Sequence, residues 1–119
     1  MDTRKVGRVK EDAAAEFLKK QGARVLFRNF RSRMGEIDIV ASDHGTVCFI
    51  EVKYRKSVKT GYPAEAVGMR KQVTICRTAD YYRMKMSLPE DQSYRFDVIS
   101  IIGEEITWFK NAFSYIPYN

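Results

Sequence analysis

Histidine, cysteine and long apolar runs are scarce in this sequence. His44 is its only histidine, and Cys48 and Cys76 are its only cysteines. A single histidine in a predicted turn disfavours a histidine-based catalytic dyad and a His/Cys zinc site. The two cysteines fall in a predicted strand and a predicted helix. We therefore expect reduced core thiols, not a disulfide or a metal-binding pair, which is the usual state in a cytoplasmic protein.

No stretch approaches the ~20 apolar residues that a membrane-spanning helix needs. Residues 1–5 are followed by no apolar run, so we also expect no signal peptide. With 119 residues, 45% of them hydrophobic and 30% charged, the chain has the composition of one globular domain. We predict a single cytoplasmic domain, 1–119, that has an aromatic C-terminal tail at 103–119 and no membrane partner.

Acidic residues are missing from two segments, 24–34 and 53–64, although the chain has 15 of them. Both segments are basic, and the net charge of +6 favours a polyanionic partner such as nucleic acid. The predicted phosphate-binding rim consists of Arg28, Arg31, Arg33, Arg55, Lys56 and Lys59. A basic face that serves only solubility is the alternative.

The hydrophobic periodicity predicts an α/β fold, with a mixed sheet of about five strands flanked by helices. The predicted helices span 7–21 and 63–84, and the predicted strands span 23–31, 36–40, 46–54, 94–102 and 105–110. The tail is too aromatic for a solvated end. Either it packs on the sheet or it completes a dimer surface.

A predicted hairpin carries the most informative polar residues. A loop at Asp43-His44 would place Asp38 opposite Phe49, whereas a loop at His44-Gly45 would place it opposite Glu51. Either register puts the charged residues Asp38, Glu51 and Lys53 on one face, which is otherwise apolar. Buried unpaired charge is costly, so a divalent cation would compensate these carboxylates. The alternative is a cross-strand ion-pair cluster on a solvated face.

The two predicted helices add further candidates. On the first, Glu11 falls inside the apolar arc, between Leu18 and Ala15. It either pairs with Arg8 or a sheet lysine, or it reaches the carboxylate site. On the second helix, the candidates for contact with the site or with phosphates are Arg70, Lys71, Gln72 and Arg77.

Asp38, followed after a dozen residues by Glu51-Val52-Lys53, resembles the core motif of the PD-(D/E)XK nuclease superfamily, with Ile37 in place of the proline. Over about residues 5–102 the chain is similar to the bacterial YraN-like family, which is related to archaeal Holliday-junction resolvases. That likeness rests on an ordered set of motifs: residues 7–11 with Ala15, Asn29-Phe30-Arg31, residues 35–38, residues 51–55, Gly61, Ala66-Val67, Lys71-Gln72 and residues 95–98.

The resemblance implies a restriction-endonuclease-like core and hydrolysis of phosphodiester bonds in DNA, including branched DNA, in recombination or repair. Mg²⁺ or Mn²⁺ would be held by Asp38, Glu51, the Val52 carbonyl and Glu11, because hard cations prefer oxygen ligands. Lys53 would orient or deprotonate the attacking water. It also implies that Lys71 and Gln72 lie near the active centre.

Resolution of a four-way junction needs two symmetric cuts and hence a homodimer. One alternative is a nucleic-acid-binding module that has the nuclease fold and no chemistry. Another is a metal-dependent nuclease that acts on RNA or on single strands.

Overall fold

The fold is a five-stranded mixed sheet with one helix on each face. The computed structural model describes residues 3–56 and 66–118. In chain order the elements are α1 (Thr3–Lys20), β1 (Arg24–Ser32), β2 (Gly35–Asp43), β3 (Thr46–Arg55), α2 (Met69–Lys85), β4 (Tyr94–Ile102) and β5 (Glu105–Phe113). The strands lie in the order β1-β2-β3-β4-β5.

Strand direction makes the sheet mixed. β3 and β4 pair in parallel, and α2 lies in the connection between them, whereas the other neighbouring strands are antiparallel. This architecture confirms the predicted α/β class and is consistent with a restriction-endonuclease-like core. Within the described ranges, no helix is long and apolar enough to cross a bilayer.

Each face of the sheet buries its own apolar cluster. On one face, Ala14 and Leu18 of α1 pack against Ile39, Ile50 and Ile99. On the other face, α2 contacts a second set of strand residues, and the members of this cluster include Ile75, Cys76, Ala79, Tyr82, Val40, Phe49 and Phe96. Both cysteines are buried free thiols, as expected. The central strands are therefore covered on both sides, which explains their nearly continuous apolar sequence.

The β2–β3 turn decides between the two registers that the sequence allows. Asp43 pairs with Thr46, which leaves His44 and Gly45 as the two-residue loop. His44 has φ 52° and Gly45 has φ 87°. Two-residue hairpin turns favour such positive φ values because their twist matches that of the strands. Continued one step beyond Ile39 and Ile50, this register sets Asp38 opposite Glu51.

The start of α2 differs from the prediction. The predicted start, Pro63, lies outside the described residues, and residues 66–68 are not helical, so the helix begins at Met69. Two side chains bind the carbonyl groups of the preceding segment: the Lys53 ammonium donates to Ala66, and the Gln72 amide donates to Val67 at 2.8 Å. The Lys53 contact joins this segment to β3, and Gly68 at its end is extended, with ψ 154°. Smaller differences lengthen α1, β2 and β5 beyond their predicted limits.

The aromatic tail packs on its own domain. Phe113, Tyr115 and Ile116 pack against the core cluster under α2. Arg77 of α2 is 7% exposed and donates to the Ile116 carbonyl, and its guanidinium lies 3.8 Å from the Tyr118 ring centroid. Of the two predicted roles for the tail, packing on the fold is therefore observed, and Arg77 serves this contact.

Asp97 of β4 is fully buried and fully hydrogen-bonded. Its carboxylate accepts from Arg95 Nε at 3.0 Å, from Trp108 Nε1 at 2.9 Å and from the Asn111 amide at 2.8 Å. Arg95 also donates to Asp43, which is 6% exposed, at 2.8 Å. The network joins β4 and β5 to the end of the hairpin, which is a structural use of buried charge.

Gly35 lies at the β1–β2 turn against α2, and a substitution at this position probes the packing between them. A Cβ at this position would overlap the Thr74 methyl group, and the backbone has φ 155°. We expect Gly35→Ala to lower the free energy of unfolding by about 1–3 kcal/mol, because a packed helix cannot easily move away. Gly7 of α1 has open space around its Cβ position, so Gly7→Ala should instead raise stability by up to about 1 kcal/mol. Urea denaturation followed by circular dichroism measures both, and equal effects of the two substitutions would contradict the packing argument.

Candidate active site

The candidate site begins where the β2–β3 pairing ends. Regular pairing runs from the turn to Ile39 and Ile50, and beyond it the Asp38 side chain replaces a main-chain acceptor. Asp38 Oδ2 accepts the Val52 amide hydrogen at 2.8 Å. One carboxylate oxygen is therefore held by the backbone of the neighbouring strand, close to the side chain of Glu51.

Asp38 and Glu51 form a close carboxyl pair. The pKa of Asp38 is raised to about 8, chiefly by burial and then by the hydrogen bond with Glu51 and the negative charge of Glu51. The Val52 amide acts in the opposite direction, because it stabilises the charged form. At neutral pH the raised pKa favours a protonated Asp38 carboxyl beside Glu51, unless a cation compensates the pair. Glu51 forms an ion pair with Lys71, whose Nζ lies 3.6 Å from Glu51 Oε2.

Glu11 of α1 is a further acid at this end of the sheet, and Glu36 of β2 lies close enough for its charge to affect the pKa of Glu11 and of Asp38. Burial raises the pKa of Glu11, and the charge of Asp38 raises it further, whereas the Asn29 amide and Arg28 oppose the rise. Within residues 3–56 and 66–118, its Oε1 atom is buried and has no hydrogen-bond partner. A buried oxygen that lacks a donor is unusual in a folded protein and marks a place for an additional donor or cation.

Asn29 is a site neighbour that we did not single out from the sequence as a site residue. It has φ 53° within β1, and the neighbouring Phe27 and Phe30 rings contact each other with centroids 5.5 Å apart. One feature of the sequence could have indicated this conformation: an asparagine within a predicted strand, because asparagine tolerates the left-handed region better than most residues. In the structure its amide opposes the rise in the pKa of Glu11.

Lys53 lies on the same strand as Glu51 and points towards the segment before α2. Its ammonium donates to the Ala66 carbonyl. Burial, and then the positive charge of Arg55, lower its pKa, while Glu51 opposes this change. A lysine with a lowered pKa is easier to deprotonate than an exposed one.

The predicted phosphate-binding residues occupy different environments. Arg28 pairs with Asp12 at 2.6 Å, and Arg31 pairs with Glu36 at 3.0 Å. Gln72 is engaged with the main chain of Val67. The exposed residues Arg33, Lys56 and Lys71 and the half-buried Arg55 are the others described, and Lys59 lies outside the described residues.

The donor set of the site consists of oxygen atoms. Asp38 and Glu51, together with the Val52 carbonyl, have the chemistry that Mg²⁺ and Mn²⁺ prefer, which is one or two carboxylates completed by water. Across residues 3–56 and 66–118, no three acidic, histidine or cysteine side chains converge on a metal position. In the described residues Asp38 and Glu51 lie together, and Glu11 is close enough for the charge of Asp38 to affect its pKa.

The raised pKa of Asp38 predicts an unusual pH dependence of stability. A carboxyl whose pKa rises on folding, here from 3.8 to about 8, binds its proton more tightly in the folded state. When a chelator removes divalent cations, deprotonation of Asp38 should therefore lower the free energy of unfolding as the pH rises from about 4 to about 8. Asp38→Asn retains both hydrogen-bonding roles without the charge, so at pH 8 it should be more stable than wild type by about 1 kcal/mol or more.

Urea titrations at several pH values measure this difference, and Asp91→Asn, an exposed change in the loop before β4, is the control. If the free energy of unfolding changed with pH in the same way for wild type and Asp38→Asn, the raised pKa of Asp38 would be contradicted.

Comparison with known proteins places the chain in a family. Residues 10–101 match the model of the family described as "Uncharacterised protein family UPF0102". A UPF0102 protein of Lachnoclostridium phytofermentans is 48% identical over 113 residues, covering 95% of this chain and 96% of the relative. One from Persephonella marina is 46% identical over 107 residues, which are 90% of this chain and 91% of the relative. The chain belongs to the UPF0102 family.

Proposed function

We propose that this protein is a metal-dependent endonuclease that hydrolyses phosphodiester bonds in DNA, with branched DNA as the substrate class. The observation that carries the proposal is the backbone-held carboxylate of Asp38 beside Glu51, with an unpartnered buried oxygen of Glu11 at the same end of the sheet. The motif that these residues share with PD-(D/E)XK nucleases and with Holliday-junction resolvases supports it by resemblance.

Each residue of the site has a separate role in this proposal. Asp38 and Glu51 would hold Mg²⁺ or Mn²⁺ with the Val52 carbonyl, and Glu11 would support this shell from α1. When bound, the cation supplies Lewis-acid stabilisation of the negative charge on the phosphate. The Val52 amide keeps the Asp38 oxygen in place, so little reorganisation is needed on binding.

Lys53 is the proton-handling group. Its lowered pKa suits a side chain that accepts a proton from the attacking water or stabilises charge on the phosphate. To do either, its ammonium must exchange the Ala66 carbonyl for substrate. The exposed side chains of Arg31, Arg33 and Lys56 would contact flanking phosphates, which position the nucleic acid without reading its sequence.

The decisive experiment is a cleavage assay in Mg²⁺ and in Mn²⁺. Labelled four-way junction, flap, duplex and single-stranded DNA, and RNA, are incubated with wild type, Asp38→Asn, Lys53→Met and the control Asp91→Asn, all purified identically. We expect both site variants to lose cleavage by roughly 100-fold or more while they retain binding, because they remove groups used in the transition state. Cleavage by Asp38→Asn at the wild-type rate would overturn the assignment.

A second candidate is a non-catalytic nucleic-acid-binding module. One contact favours it: Lys53 is bonded to Ala66 and not directed at the carboxyl pair. In this case, wild type and Asp38→Asn would bind nucleic acid with equal salt sensitivity, and neither would cut. A nuclease that acts on RNA or on single strands would be identified by the substrate that is cut. Dimer formation, which junction resolution requires, is tested by sedimentation with and without junction DNA.

A further inference from the structure

Among residues 3–56 and 66–118, Lys71 is the side chain that forms an ion pair with Glu51. Its Nζ lies 3.6 Å from Glu51 Oε2, with the lysine side chain 46% exposed and the glutamate side chain 12% exposed. This separation is longer than an N–H···O hydrogen bond, so the pair is held by charge and not by a directed bond. The Lys53 ammonium is engaged with the Ala66 carbonyl.

A divalent cation and the Lys71 ammonium would compete for one carboxylate. Both are attracted to Glu51, and each repels the other at this distance. Because the Lys71 side chain is half exposed and flexible, it can leave Glu51 without disturbing the core. Binding of a cation by Asp38 and Glu51 would therefore displace it.

The displaced ammonium has a second acceptor available if nucleic acid is bound. Lys71 lies in the first turn of α2, which contains no acidic residue and is preceded by Gly68 without a side-chain cap. Arg70 is exposed beside it, so the local potential is positive once Glu51 is neutralised. A backbone phosphate next to the carboxyl pair is the group that a free lysine there would bind.

We propose that Lys71 is an exchangeable counter-ion that couples divalent-cation binding to nucleic-acid binding. Without the cation it neutralises Glu51, and with the cation it binds a phosphate of the nucleic acid. This inference rests on the proposed cation site. Because coupling between two ligands is reciprocal, nucleic acid must also tighten binding of the cation, and Lys71 contributes to both effects.

The first measurement is Mn²⁺ affinity without nucleic acid, by electron paramagnetic resonance or calorimetry. We expect Lys71→Met to bind Mn²⁺ about 3- to 10-fold more tightly than wild type, because the competing charge is gone. Arg70→Met, a matched change on the neighbouring residue, should alter this affinity less, and Lys71→Arg should stay near wild type. Thermal melts verify that each variant folds.

The second measurement is the salt dependence of duplex and junction binding, with and without Mn²⁺, in a Lys53→Met background that keeps the nucleic acid intact. In Mn²⁺, Lys71→Met should reduce the slope of log affinity against log salt by about 1, the loss of one phosphate contact, and without Mn²⁺ it should reduce the slope much less. Arg70→Met should have the same effect in both conditions.

The outcomes separate the two proposals. Mn²⁺ binding that requires Asp38 and is equal in wild type and Lys71→Met would overturn the exchange and leave the cation site standing. Absence of Asp38-dependent Mn²⁺ binding in every variant would overturn the cation site, and the exchange with it.

Discussion

The hydrogen bond from the Val52 amide to Asp38 is the interaction on which the site depends. A hairpin that continued its regular pairing would satisfy this amide with a main-chain carbonyl. Here an acidic side chain takes that place, so the carboxylate is fixed by the strand itself and not by another flexible side chain. Glu51, one residue earlier on β3, is then placed beside Asp38 by the same register that the His44-Gly45 turn sets. The site is thus a consequence of hairpin geometry.

The sheet contains two kinds of buried acid, and their partners distinguish them. Asp97 accepts hydrogen bonds from a guanidinium, an indole and an amide, so its charge is compensated within the fold. Asp38 and Glu51 instead face each other, and burial raises the pKa of Asp38. A fold that needed only stability would supply such a pair with a firm cation or replace it with apolar residues. Asp38 and Glu51 are therefore the candidate site, whereas Asp97 belongs to the structural framework.

The local sequence predicts the hairpin, whereas the start of α2 and the position of the aromatic tail depend on contacts between residues far apart in the sequence. Alternation of apolar residues predicts the strands and the shared face of Asp38 and Glu51, and turn chemistry restricts the register to two choices. The start of α2 was misplaced where Lys53 of β3, 13 residues away, binds the carbonyl group of Ala66, a contact that a propensity pattern cannot express. The position of the tail likewise depends on Arg77, which is 39 residues from its acceptor.

The net charge alone also cannot predict which basic residues bind a phosphate, because the ion-pair partner of each side chain determines whether that side chain is available. Arg28 has a buried Nε atom and a close contact with Asp12, so its guanidinium attaches β1 to α1. Arg31 is 75% exposed in its pair with Glu36, and exposed pairs contribute at most about 1 kcal/mol, so a phosphate can compete for it. Lys71 lies between these cases, since its acceptor is the carboxylate that a cation would take. The net charge of +6 therefore measures a general attraction to polyanions, whereas the ion pairs determine which residues are available to a phosphate and in which state of the site.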